Sequence, residues 1–102
     1  MLEQQYPALW QFLGAYLHQD WREEYESTSD AVQDFVTGSR VLAVNLPPEI
    51  DDVLASATDD VSLEELLVDL GSFFIPSRAG LDPRDWLRQM KDEAQLLLTQ
   101  PG

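Results

Sequence analysis

A chain of 102 residues, 44% of them apolar, can build one hydrophobic core without metal or disulfide support, which excludes a disordered acidic tail. With no cysteine, disulfides, thiolate nucleophiles and cysteine-based zinc sites are excluded too. Nineteen acidic residues against six basic ones give a formal net charge of -13, which disfavours nucleic acid and anionic membrane and favours a cationic protein as partner.

The first element is a helix. Pro7 suits its first turn, where the missing N–H has no partner to lose. Leu9, Phe12, Leu13, Tyr16 and Leu17 then recur at helical spacing as one apolar stripe. The stretch Ala8 to Leu17 is interrupted by Gln11 and Gly14, lacks a basic leader and is too short to span a bilayer, so it reads as neither signal peptide nor anchor. The expected location is the cytoplasm. Residues 18–27 form a polar, aromatic connection.

A second helix is expected from Thr28 or Ser29, with a hydroxyl cap, burying Val32, Phe35 and Val36 and closing at Gly38. Residues 39–48 are ambiguous between a helical turn and an extended piece up to Pro47-Pro48, which forbids an uninterrupted helix and opens a new one. Ile50, Val53, Leu54 and Ala57 face inward there. Ser62 and Glu65 read as a capping box for the next helix, whose stripe is Leu63, Leu66, Leu67 and Leu70 before Gly71 ends it. Gly71 to Gly80 is a loop expected to fold Phe73, Phe74 and Ile75 over the core. Asp82 caps the last helix, Pro83 takes its first position, and Trp86, Leu87, Met90, Ala94 and Leu97 line its inner face. The pattern predicts an all-α fold over 1–102: a compact single-domain bundle of five or six short helices.

Charge is unevenly distributed along the chain. Residues 20–34 hold Asp20, Glu23, Glu24, Glu26, Asp30 and Asp34 against Arg22 alone, and residues 49–69 hold eight carboxylates and no base. Residues 78–93 balance four bases against four acids. The middle section reads either as a solvated face or as a docking surface for a cationic protein.

Catalytic chemistry finds no foothold. His18 is the single imidazole, no Gly-x-Ser-x-Gly elbow accompanies it, and a histidine there is expected to cap the preceding helix. Asp51-Asp52, Asp59-Asp60 and Glu64-Glu65 are paired acids without calcium-loop order, and no Glu-x-x-His occurs. Neither metal nor cofactor is expected. Ten aromatic residues exceed what the stripes need. Trp10 and Trp21 lie off or beyond the first stripe, and Tyr25 among Glu23, Glu24 and Glu26 reads as an interface anchor.

Tyr6-Pro7-Ala8-Leu9, Phe12-Leu13-Gly14-Ala15-Tyr16 and above all His18-Gln19-Asp20-Trp21 followed by Glu24-Tyr25 resemble the immunity proteins of contact-dependent growth inhibition. Ala31 to Phe35, Leu70-Gly71-Ser72-Phe73-Phe74 with Pro76, and Trp86-Leu87 extend the resemblance over nearly the whole chain. Pro47-Pro48 departs from the family's more continuous middle helices. The resemblance implies a non-enzymatic antitoxin that binds the C-terminal domain of a delivered toxin, often a nuclease. His18, Gln19, Asp20 and Trp21 would then serve the fold, with Trp21 against the first helix. Toxin contacts are expected at Glu23, Glu24, Tyr25, Asp51, Asp52, Asp59, Asp60, Glu64 and Asp69. An acidic adaptor without a toxin is the alternative, and a carboxylate-based enzyme the third reading.

Overall fold

In the computed structural model, which describes residues 2–100, a turn of helix (α1, Leu2–Gln5) bends at Tyr6 into α2 (Pro7–Gln11). Pro7 opens α2 as its spacing predicts. The helix then widens over Phe12–Tyr16 and ends with the Leu17 N–H on the Phe12 carbonyl, an i to i+5 bond of 3.2 Å. Leu9, Phe12, Leu13 and Leu17 are buried and Tyr16 half-buried, so the apolar stripe survives the change of pitch.

After α3 (Trp21–Glu24), α4 (Thr28–Gly38) begins where expected, but its cap is Ser27, whose hydroxyl accepts the Asp30 N–H at 3.2 Å. Thr28 is engaged elsewhere, since its Oγ1 accepts the indole N–H of Trp86 at 3.0 Å and so pairs a donor on a buried ring. The ambiguous stretch resolves into α5 (Arg40–Ala43) and a turn. Both prolines fall in the first turn of α6 (Leu46–Ser56), where the N–H groups they lack would have had no helical partner.

Helix α7 (Asp60–Asp69) starts earlier than the Ser62–Glu65 box predicts. Asp59 is its cap and accepts the Ser62 N–H at 2.7 Å; that bond holds the Asp59 carboxyl below its ordinary range. Two residues match the N-cap preference here, and the anionic one is the better acceptor at the positive end of a helix. At the other end the Ser72 N–H reaches the Leu67 carbonyl and the Gly71 N–H that of Val68, a left-handed closure. Gly71 has φ of 103°, and a Cβ there would lie 3.1 Å from the Gly14 Cα. Two glycines therefore meet where the first helix passes the end of α7. That approach lets the Phe73 N–H close on the Leu17 carbonyl at 3.0 Å.

A single turn (Pro76–Ala79) leads to α8 (Pro83–Thr99), capped by Asp82 through the N–H groups of Arg84 and Asp85. Helix α8 packs against α4, α6 and α7 and carries the buried Trp86, Leu87, Met90 and Ala94 as read from its period. No strand occurs among the described residues, and the all-α expectation holds. Phe74 lies between Trp21 and Trp86, at 5.6 and 4.9 Å between ring centroids. Phe73 does not fold over the core as expected: it is 61% exposed, because successive residues of an extended segment point to opposite sides.

Three helix ends are tied by side chains from other helices. Glu49 accepts the N–H groups of Ala8 (3.0 Å) and Leu9 (2.9 Å) at the start of α2. Arg84 donates to the carbonyls of Leu54 and Ala57 at the end of α6, and Arg40 to those of Leu98 and Gln100 at the end of α8. Each charge has the sign that the helix dipole favours at that end.

Candidate functional site

Tertiary structure redistributes the acidic middle section. Glu49 is buried at the α2 terminus, Asp52 accepts the Tyr6 hydroxyl at 2.6 Å, and Asp51 pairs with Lys91 at 2.7 Å. Asp59 is a cap, Asp60 lies 3.5 Å from the Arg84 guanidinium, and Glu64 accepts both the N–H and hydroxyl of Ser77. Only Glu65 and Asp69 of these eight lack a hydrogen-bond or ionic partner among the described residues. Six of the eight acids are thus engaged internally, but only Asp51 and Asp60 by bases, both from the C-terminal section; the other four are held by uncharged N–H and hydroxyl donors.

Burial raises the Glu49 carboxyl above its ordinary range, against the opposing pull of its two N–H donors. The Tyr6 hydroxyl is also raised, by burial first and then by its bond to Asp52.

The His18–Trp21 segment is a local knot. His18 Nδ1 accepts the Asp20 N–H at 3.1 Å, which leaves the proton on Nε2, 3.5 Å from Glu24 Oε1. His18 therefore does not cap the preceding helix; the Phe73 N–H takes the Leu17 carbonyl instead. Asp20 stands at the N-cap position of α3 without a side-chain cap bond. Trp21 is buried and meets Phe74 of the 71–80 loop edge-on, within the same core cluster as Leu13 and Leu17 of the first helical stretch. Tyr25 is half-buried, stacks on Tyr16 at 6.4 Å and donates its hydroxyl to Asp34; burial first, then that bond, raises its pKa.

An open face lies on the outer side of α7 and the loop after it. Val61, Val68 and Phe73 are 68%, 50% and 61% exposed, which places their apolar area in water. One hollow of about 320 Å³ is bounded by Val61, Glu65, Val68 and Asp69, and a second of about 410 Å³ by Asp20, Glu23, Trp21 and Phe73. Ile75 and Arg78 line both and join them.

Of the residues read from sequence as toxin contacts, Glu23, Glu64 and Asp69 border these hollows, with Gln19 and Asp20 of the motif beside them. Glu24, Tyr25, Asp51, Asp52, Asp59 and Asp60 do not line either hollow. Sequence reasoning missed Val61, Val68, Phe73, Glu65, Arg22 and Arg78. One signal was available: Val61, Glu65, Val68 and Asp69 recur at helical spacing on a face other than the Leu63–Leu67–Leu70 stripe. No group of three or more His, Cys, Asp or Glu among the described residues is placed to hold a metal.

Fold and face define a small, acidic, all-helical protein with an open apolar-and-acidic surface, and no described helix is long and apolar enough to cross a membrane. The chain matches the family model described as CdiI immunity protein over residues 5–94 and belongs to that family of toxin-neutralising immunity proteins. No curated protein and no solved structure matches it significantly.

Proposed function

We propose that this protein neutralises the C-terminal domain of a contact-dependent growth inhibition toxin by one-to-one binding through the α7 and 71–80 face. Family membership over residues 5–94 carries the reading. The face supports it: Val61, Val68 and Phe73 supply an apolar centre, and Glu23, Glu64, Glu65 and Asp69 a charged rim. An exposed phenyl ring is the natural anchor. A basic nuclease is the toxin best suited to a net charge of -13, since a phosphate-binding cleft is cationic.

The remaining acids, Glu24, Asp51, Asp52, Asp59 and Asp60, contribute to the field while keeping their internal partners. Tyr25 contributes as a neutral ring at the margin. Such a field speeds encounter, to about 10⁸ M⁻¹s⁻¹ or more at low salt. On this reading the protein performs no reaction and binds no cofactor, nucleic acid or membrane. It acts in the cytoplasm, where a delivered toxin is met. Co-expression with the toxin domain encoded beside its gene should preserve growth, and calorimetry should give one-to-one binding. Growth arrest alongside folded, abundant protein would reject the proposal.

A further inference from the structure

Four of the six basic residues are engaged internally: Arg40 and Arg84 on helix-end carbonyls, Arg88 on Asp85 and Lys91 on Asp51. Arg22 and Arg78 are the two whose guanidinium groups have no carboxylate or carbonyl partner among the described residues. Both line the same hollow of about 410 Å³, beside the buried rings of Trp21 and Phe74. With nineteen acids available for pairing, two spare guanidiniums in one concavity are conspicuous.

Their setting suits capture of an anion. The Arg22 guanidinium lies over the Trp21 ring, 5.3 Å from its centroid, a cation–π contact that consumes none of its N–H donors. Arg78 sits on the single turn Pro76–Ala79, whose backbone is closed by the Arg78 N–H on the Ile75 carbonyl at 3.1 Å. Asp20 and Glu23 also line the hollow but form no ion pair with either arginine. Their charges repel a free anion, whereas a carboxylate carried on a cationic protein is brought in by the whole surface.

We infer that this hollow is the subsite for a carboxylate side chain of the toxin, held by Arg22 and Arg78. The inference rests on the proposed toxin binding through the adjoining face. The acids draw a basic domain in, and the arginines accept it only when an acid stands at the matching position, so this pair sets register and specificity.

The test uses the full chain and the toxin domain encoded beside its gene, with affinity and dissociation rate measured for wild type, Arg22→Gln, Arg78→Gln and the control Arg88→Gln. Each hollow variant should weaken binding about 30-fold or more, chiefly through faster dissociation, as expected when one partner of a desolvated charge pair is removed. The control should bind as wild type does, and far-UV circular dichroism should show all four equally helical. In a second arm, Arg78→Glu should lose binding and regain it when one toxin Asp or Glu is changed to Lys. Succinate titrated into the protein alone should leave the Trp21 indole resonance unsaturated at about 10 mM. Wild-type binding with unchanged affinity in both hollow variants would overturn the subsite and leave the proposed function standing. Saturation by succinate would overturn it in favour of a small-molecule carboxylate. Failure of wild type to bind the toxin would remove the proposed function and the subsite together.

Discussion

Truncating Glu49 to alanine strips the start of α2 of both its acceptors. The Ala8 and Leu9 N–H groups belong to fully buried residues, and no other side chain is bonded to them. Leaving a buried donor unpaired costs about 1–3 kcal/mol, so the pair should cost about 2–5 kcal/mol. Small domains are stable by only about 5–15 kcal/mol, and at this size each kcal/mol moves the midpoint by roughly 4–8 °C. Glu49→Ala should therefore melt about 10 °C or more below wild type. Glu49→Gln should fall between the two, because its amide oxygen can still accept one N–H and no charge is buried. Urea unfolding followed by tryptophan fluorescence and far-UV circular dichroism measures this directly. An alanine variant within about 0.5 kcal/mol of wild type, at unchanged m-value, would refute the assignment.

The same residue fixes a pH signature. Burial holds the folded Glu49 carboxyl above its unfolded value, so the native state binds that proton more tightly. This group's contribution to stability then falls as pH rises from the ordinary carboxylate range through the raised folded value, and is level above it. The stability of wild type minus that of Glu49→Gln should trace that descent; a difference rising with pH over the same window would contradict it.

Gly71→Ala should destabilise by about 1–3 kcal/mol, because φ of 103° strains any side chain and the new Cβ would press on Gly14; equilibrium unfolding will show it. Thr28→Val should cost about 1–3 kcal/mol by orphaning the Trp86 indole N–H, and a blue-shifted or broadened tryptophan emission should accompany it. Phe73→Ala should leave stability within about 0.5 kcal/mol yet weaken toxin binding at least about tenfold in calorimetry, as befits an exposed anchor. Glu65→Gln with Asp69→Asn should slow association and flatten its salt dependence without lowering the melting point, as stopped-flow mixing at two ionic strengths would report.

Helix positions and inner faces were legible because they are local. The stripe Val32–Phe35–Val36, the α8 face from Trp86 to Ala94 and the proline starts of α2, α6 and α8 all follow from spacing within one segment. Caps were less so, since Asp59 and Ser62, or Ser27 and Thr28, compete within a few residues, and distant contacts decide what Thr28 does. The disposition of charge was not legible at all. Nothing near Asp51 announces Lys91, and nothing near Asp60 announces Arg84. Counting acids along the chain overstates the free negative surface for that reason. The proposed face was half visible: its acids Glu23, Glu64 and Asp69 were read, while Phe73 was assigned to the core and Val61 and Val68, off the Leu63–Leu67–Leu70 stripe, were passed over.

The cross-helix clasps made by Glu49, Arg84 and Arg40 have a consequence for how the molecule can diversify. None of these three lines the hollows around Val61, Val68 and Phe73. Residues there can be exchanged without loosening those clasps, so if that face binds the toxin as proposed, a lineage confronting a new adversary can rewrite its recognition code while inheriting the same scaffold.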